Sequence, residues 1–325
     1  MTANIKIGPY KAFKPTSVNW KRSVDSYSDS SLIKIPAICM LKSSGDTYTR
    51  VESSLQFKEG MKVEVAGGYD GNNVTRFKGF IRRINFTVPC EIECEGYSYQ
   101  LRLKLDINKV YAAGVKMKTI LTDLVAGTDI KLSDKIPDVT ISTAVVFKRA
   151  SGTQVLDWLK EKMLQTVYFN YDVLYVGLKE TEIKKTVRFR LGWNVIKDND
   201  LKFNSNKEHA QVKIEIQQRE KNGQFKSAVY QSKFTNTLVK RIHVRLDDSY
   251  LAKMAQAYKA SLLGTGYEGL ITAFAIPVVE PGMVAALEDP RYNERHSSNF
   301  IEEVEGSLGP GGGRQKIKIG NQLNG

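Results

Sequence analysis

The chain has 325 residues, 42% hydrophobic and 26% charged, with near-average glycine and proline; this describes a globular protein of two or three domains and excludes collagen-like, disordered and disulfide-scaffold classes. No apolar run reaches the roughly 18 residues of a membrane span, and Met1 to Pro15 lacks the apolar core of a signal peptide, so a chain folded in a cytoplasm, without leader or membrane span, is expected. The 48 basic against 35 acidic side chains, net +13, point to a polyanion partner without specifying one.

The first hundred residues read as strands over 31–38, 61–66, 76–86 and 90–95, with alternating apolar positions and Gly, Asn and Asp turns that predict an antiparallel sheet or barrel. Residues 67–73 (Gly-Gly-Tyr-Asp-Gly-Asn-Asn) carry the left-handed-tolerant types of a hairpin turn. Cys90 and Cys94 fall on one face of the fourth strand, about 13 Å apart by strand rise. That spacing suits neither a disulfide nor a shared metal, so buried reduced thiols are expected. His209, His243 and His296 are dispersed, which leaves little material for a zinc centre.

From Val115 the period becomes helical. Met117, Ile120, Leu121 and Leu124 recur before Gly127, and a second helix over 153–164 places Val155, Leu156, Leu159 and Met163 on one stripe. Residues 168–177 then read as a hairpin, which gives a mixed α+β segment. Strands resume after Glu182, with Val187, Phe189 and Leu191, then Val212, Ile214 and Ile216, at alternate positions. Asp247 to Ser249 offers an N-cap for a helix with Leu251, Met254, Ala255, Tyr258 and Leu262 on one stripe, ending at Gly264.

The two β-rich ends carry an internal repeat. Gly60-Met61 before one strand is echoed by Gly282-Met283, and Phe80-Ile81-Arg82-Arg83-Ile84 by Phe300-Ile301-Glu302-Glu303-Val304. Third strands follow, over 91–96 and 316–320. The apolar positions hold while the charges invert, as shared packing with different outward surfaces requires. Three chains carrying two copies each can close a ring of six similar barrels with threefold symmetry.

The order of these motifs, together with 77–86, 120–128, 152–159, 172–177, 281–289 and Gly309-Pro-Gly-Gly-Gly-Arg314, resembles the baseplate hub family of contractile phage tails, which includes Mu-like and late-control hub proteins and the hub half of type VI secretion spike proteins (VgrG). The resemblance implies a mainly β fold: a tube-like antiparallel β-barrel over 1–105, a mixed α+β insert over 106–181 and a second barrel with one helix over 182–325. It further implies a homotrimer in a virion tail baseplate whose pseudo-hexameric ring joins the tail tube protein to the trimeric spike, with DNA or effectors passing through its channel without specific recognition. As the chain ends at Gly325 without a spike module, a separate spike protein is expected.

Catalytic, cofactor and metal residues are not expected. Gly309–Arg314 lacks the Lys-Ser or Lys-Thr of a phosphate loop and leads into a strand, and no nucleophile elbow, zinc-protease helix or calcium loop occurs. Glu91, Glu93, Glu95, Glu302 and Glu303 offer carboxylates that a cell-wall hydrolase could place across a cleft, or that simply face solvent or another subunit. Two basic strands stand out, Lys184 to Arg190 with Arg188 and Arg190, and Lys240 to Arg245 with Arg241, His243 and Arg245 on one face. They are read as polyanion contacts, subunit contacts or solvated surface. The alternatives to a hub are therefore a peptidoglycan hydrolase of the same tail and a nonspecific nucleic-acid-binding module.

Overall fold

A computed structural model of the chain describes residues 1–42, 47–179, 185–204, 212–230, 236–263 and 266–323. Lys184, His209 and Gly264 lie outside these residues.

Alternating burial builds the N-terminal strands β1 (Thr2–Ile7), β3 (Ser17–Ser23) and β4 (Ser30–Ile35), and β2 (Tyr10–Phe13) pairs antiparallel with β1. The strand expected over 31–38 breaks at Pro36, which has no N–H to give a ladder, and the chain continues as a separate hairpin of β5 (Ile38–Lys42) and β6 (Tyr48–Glu52) before the one-turn helix α1 (Ser53–Gln56). β7 (Lys62–Tyr69) and β8 (Asn72–Asn85) meet at Asp70-Gly71, with φ of 51° and 82°, the left-handed pair a tight hairpin needs. β9 (Cys90–Glu95) and the short helix α2 (Ser98–Leu103) complete this module. Ile5, Val18, Ile33, Val65, Phe77, Ile81 and Ile92 form its core, in which Cys90 and Cys94 are buried as free thiols. Burial pushes the Cys94 thiol well above its ordinary value.

The middle segment contains β10 (Ile107–Tyr111), β11 (Val115–Lys116), α3 (Met117–Val125), β12 (Lys131–Leu132), β13 (Thr140–Ile141), β14 (Val145–Ala150), α4 (Gly152–Lys162), β15 (Thr166–Asn170) and β16 (Val173–Gly177). Both expected helical stripes are buried in one core. α4 opens on a capping box, in which the Ser151 hydroxyl accepts from Gln154 N at 3.2 Å and Gln154 Oε1 accepts from Ser151 N at 2.7 Å.

The C-terminal part comprises β17 (Thr186–Arg190), β18 (Val195–Asn204), β19 (Val212–Arg219), β20 (Phe225–Tyr230), β21 (Asn236–Ile242), α5 (Asp248–Leu263), β22 (Gly266–Phe274), β23 (Val284–Glu288), β24 (Ser297–Gly309) and β25 (Gly312–Gln322). Asp247 Oδ1 caps α5 by accepting from Tyr250 N at 2.9 Å. The α5 residues Tyr250, Leu251, Met254 and Ala255, with Ile216, Ile242, Val244 and Leu246, join the middle core rather than that of the second module. A helical stripe fixes which face is buried; the choice of core belongs to the topology. The second module keeps its own core of Phe189, Ile271, Ala285, Ile301, Ile317 and Ile319 among others. Its β17 and β23 pair in parallel, against the antiparallel expectation.

The two β-rich ends form one 13-stranded sheet in the order β18-β22-β25-β24-β3-β4-β9-β8-β7-β1-β2, with β23 on β24 and β17 on β23. The succession β18-β22-β25-β24-β23-β17 matches β3-β4-β9-β8-β7-β1 in strand order and in antiparallel pairing up to the last strand, where β17 runs parallel to β23 but β1 antiparallel to β7. No helix among the described residues is long and apolar enough to cross a membrane.

Candidate assembly interface

The repeat residues occupy matching positions. Gly60 N donates to Ile81 O at 2.8 Å and Ile81 N to Met61 O at 2.9 Å; Gly282 N donates to Ile301 O at 2.9 Å and Ile301 N to Met283 O at 2.8 Å. Gly60 and Gly282 have φ of 82° and 86°, a region that disfavours side chains, which is why glycine stands at both. Phe80 lies opposite Lys62 and Phe300 opposite Val284, both rings are buried, and the ladder slips by one residue just after Ile81 and just after Ile301. A shared bulge in a shared register is a property of a duplicated module rather than of β-rich composition.

The modules are welded where β24 pairs antiparallel with β3, from Glu303 opposite Ser23 to Leu308 opposite Val18. On the inner face Gly306 lies opposite Trp20, so close that a Cβ there would sit 1.9 Å from the indole. On the outer face Lys21 Nζ reaches Glu303 at 2.7 Å and Glu305 at 2.8 Å.

Arg22, only 3% exposed, ties all three regions together. Its Nε donates to Asp29 Oδ2 at 3.2 Å, an Nη donates to Asn170 Oδ1 at 2.9 Å, the other lies 3.9 Å from Glu280 Oε1, and the guanidinium stacks 3.9 Å from the Tyr171 ring centroid. Burial opposes the charge, but Asp29 and Glu280 outweigh it and hold the guanidinium above its ordinary value. Arg76 makes a second cross-tie, donating to Gly67 O at 3.1 Å and Ala275 O at 2.7 Å. Neither arginine stood out in the sequence, since one charged residue in a strand reads as solvated.

The outer face of the joined sheet forms an open cleft of about 740 Å³ lined from both modules by Lys21, Arg82, Glu91, Glu93, Arg314 and Lys316 among others. The carboxylates singled out in the sequence are paired: Glu91 with Lys34 at 2.6 Å, Glu93 with Arg83 at 2.5 Å, Glu95 with Arg102 at 2.8 Å, and Glu302 with both Lys179 and Lys318 at 2.6 and 2.8 Å. Burial alone would raise the Glu302 carboxyl, yet the two ammonium groups hold it below its ordinary value. Such a depressed group contributes stability above its unfolded pKa and loses it as pH falls through the folded one. Glu302→Gln is therefore expected to cost most stability near neutrality and progressively less toward about pH 3. Urea midpoints across that range check it; a pH-independent difference would contradict it.

Arg188 and Arg190 are exposed on β17 in the large sheet. Arg241 lies on β21 in the three-stranded sheet β20-β19-β21, and His243 and Arg245 just beyond it; their alternation continues past the strand end. Arg241 Nε donates to Gln217 Oε1 at 3.1 Å and Arg245 pairs with Glu220 at 3.3 Å. The two basic strands thus sit on different sheets. Sequence reasoning missed β18, the strand at one end of the large sheet.

Doubled β-modules around a mixed segment are the tail-hub β fold, as the sequence resemblance implied. The chain is similar to the tail protein of Neisseria meningitidis MC58 (TM-score 0.67, 13% identity, 99% of this chain and 96% of that one) and to the 43 kDa tail protein of prophage MuSo2 from Shewanella oneidensis (TM-score 0.62, 14% identity, 98% and 97%). It is also similar to an Escherichia coli component of the type VI secretion system described as resembling the phage T4 tail proteins gp27 and gp5 (TM-score 0.57, 9% identity, 98% and 77%). No family model matches the chain, and no curated protein matches it in sequence.

Proposed function

We propose that the chain is a structural, non-enzymatic hub of a contractile phage tail or related injection machine, located in the tail baseplate. Three copies form a ring of six similar modules that joins a sixfold tail tube to a separate threefold spike, and DNA or effectors cross its channel without specific recognition. The modules take the spans 1–105 and 182–325, with 106–181 as the insert, whose core also draws in residues between Ile216 and Ala255. The carrying observation is the pair of matched hydrogen-bond sets at Gly60–Ile81 and Gly282–Ile301 in strands of the same order. The ion-paired state of Glu91, Glu93 and Glu302 favours structure over hydrolysis. Arg188, Arg190, Arg241, His243 and Arg245 serve as contacts to a neighbouring subunit or to a polyanion in transit. Light scattering tests the reading: three times the 36.5 kDa chain mass is expected, alone or with the spike protein. One chain mass at every concentration, with and without that partner, would overturn it.

A further inference from the structure

We propose, resting on the three-chain ring above, that β18 of one chain adds edge to edge to β8 of a second copy at residues 83–86, repeating between chains the seam that β24 and β3 make within one.

The ladder registers fix the correspondence. Ile81 lies opposite Cys94, Cys94 opposite Ser31, and Ser31 opposite Trp20; Ile301 lies opposite Ile319, Ile319 opposite Gly269, and Gly269 opposite Leu201. Leu201 thus holds in the second module the place of Trp20 in the first, Lys202 that of Lys21 and Asn204 that of Ser23. By the same count from Phe80 and Phe300, Arg83 matches Glu303 and Phe86 matches Gly306. The seam within the chain uses β24 of the second module and β3 of the first, which leaves their counterparts, β8 and β18. β18 ends the sheet, and β8 pairs with β7 only as far as Phe80; beyond that, neither edge has a strand partner among the described residues. Six strands separate the two edges, so the partner is another chain.

Transferring the register puts Arg83 opposite Asn204, Ile84 opposite Phe203, Asn85 opposite Lys202 and Phe86 opposite Leu201 of the neighbour. The inner face of the existing seam carries Val304 against Arg22 and Gly306 against Trp20, all buried. The corresponding inner pairs are Ile84 with Phe203 and Phe86 with Leu201. This accounts for two aromatic rings left in solvent, Phe86 at 73% and Phe203 at 62% exposure, on polar edges. Size is reciprocal as well: the large Trp20 faces a glycine, and the smaller Leu201 faces a phenylalanine. The outer pairs, Arg83 with Asn204 and Asn85 with Lys202, remain polar. Such a contact joins unlike surfaces head to tail and closes a ring when its rotation fits.

Paired cysteines test the register, because antiparallel partners have Cα atoms about 4.5–5.5 Å apart, within disulfide reach. In a Cys39→Ser background, Phe86→Cys with Leu201→Cys, and Asn85→Cys with Lys202→Cys, are expected to give disulfide-linked dimers and trimers under mild oxidation. Phe86→Cys with Lys197→Cys, out of register, and the single variants are expected to give none. Phe203→Asp, at an exposed position, is expected to keep the native circular dichroism and to dissociate the assembly. A three-chain mass with no linkage in register, or with equal linkage out of register, overturns this seam and leaves the trimer standing. A single-chain mass without linkage overturns both.

Discussion

Replacing Arg22 by methionine lowers the stability of the chain by about 3–5 kcal/mol, because it takes the guanidinium away from the buried Asp29 carboxylate and removes a cation that, like Lys179, holds the two modules and the middle segment in common. The methionine fills much of the same volume, so the loss reflects the lost ion pair more than a cavity. Arg22→Lys should fail nearly as badly, since an ammonium cannot serve Asp29 and Asn170 in one plane while stacking on Tyr171. Asp29→Asn in the Arg22→Met background should restore part of the loss. Urea unfolding followed by circular dichroism checks all three; a shift in Arg22→Met below about 1 kcal/mol would show that the node is not what joins the regions.

Gly306→Phe is the second large effect. Its side chain would enter the space of the Trp20 indole, and overpacking of this kind costs about 1–3 kcal/mol or more. Trp20→Leu alone opens a cavity. Together the two recreate the Phe86–Leu201 pairing assigned above to the contact between chains, and the double variant should be more stable than the sum of the single effects by at least about 1 kcal/mol. Strict additivity in the double-mutant cycle would contradict the volume reciprocity of the two seams.

What the sequence reveals and what it conceals divide along physical lines. The repeat is legible because a glycine at positive φ and a Phe-Ile pair at a fixed distance answer to local constraints that both copies share. The helical stripes at Met117–Leu124 and Val155–Met163 are legible for the same reason, as are the buried cysteines on one strand face. β18 is not: an edge strand buries little, and Lys197, Asn199, Asp200 and Lys202 read as a loop when one side of the ladder has no neighbouring strand among the described residues. The seam conceals itself by distance, since β3 and β24 lie almost a full chain length apart and only the closed sheet sets their register. Arg22 and Arg76 look like surface charges because the carboxylate, carbonyls and ring that receive them come from other regions. The core that α5 joins is hidden likewise, because its stripe fits either neighbour.

The most direct test of a doubled module completing a ring is the rotational symmetry of the assembly seen end on, in electron micrographs averaged without imposed symmetry. Six lobes of two alternating kinds around a central opening, threefold in detail and nearly sixfold in outline, are predicted. A compact particle without a central opening, or a ring whose lobe count is not twice its number of chains, would contradict the account.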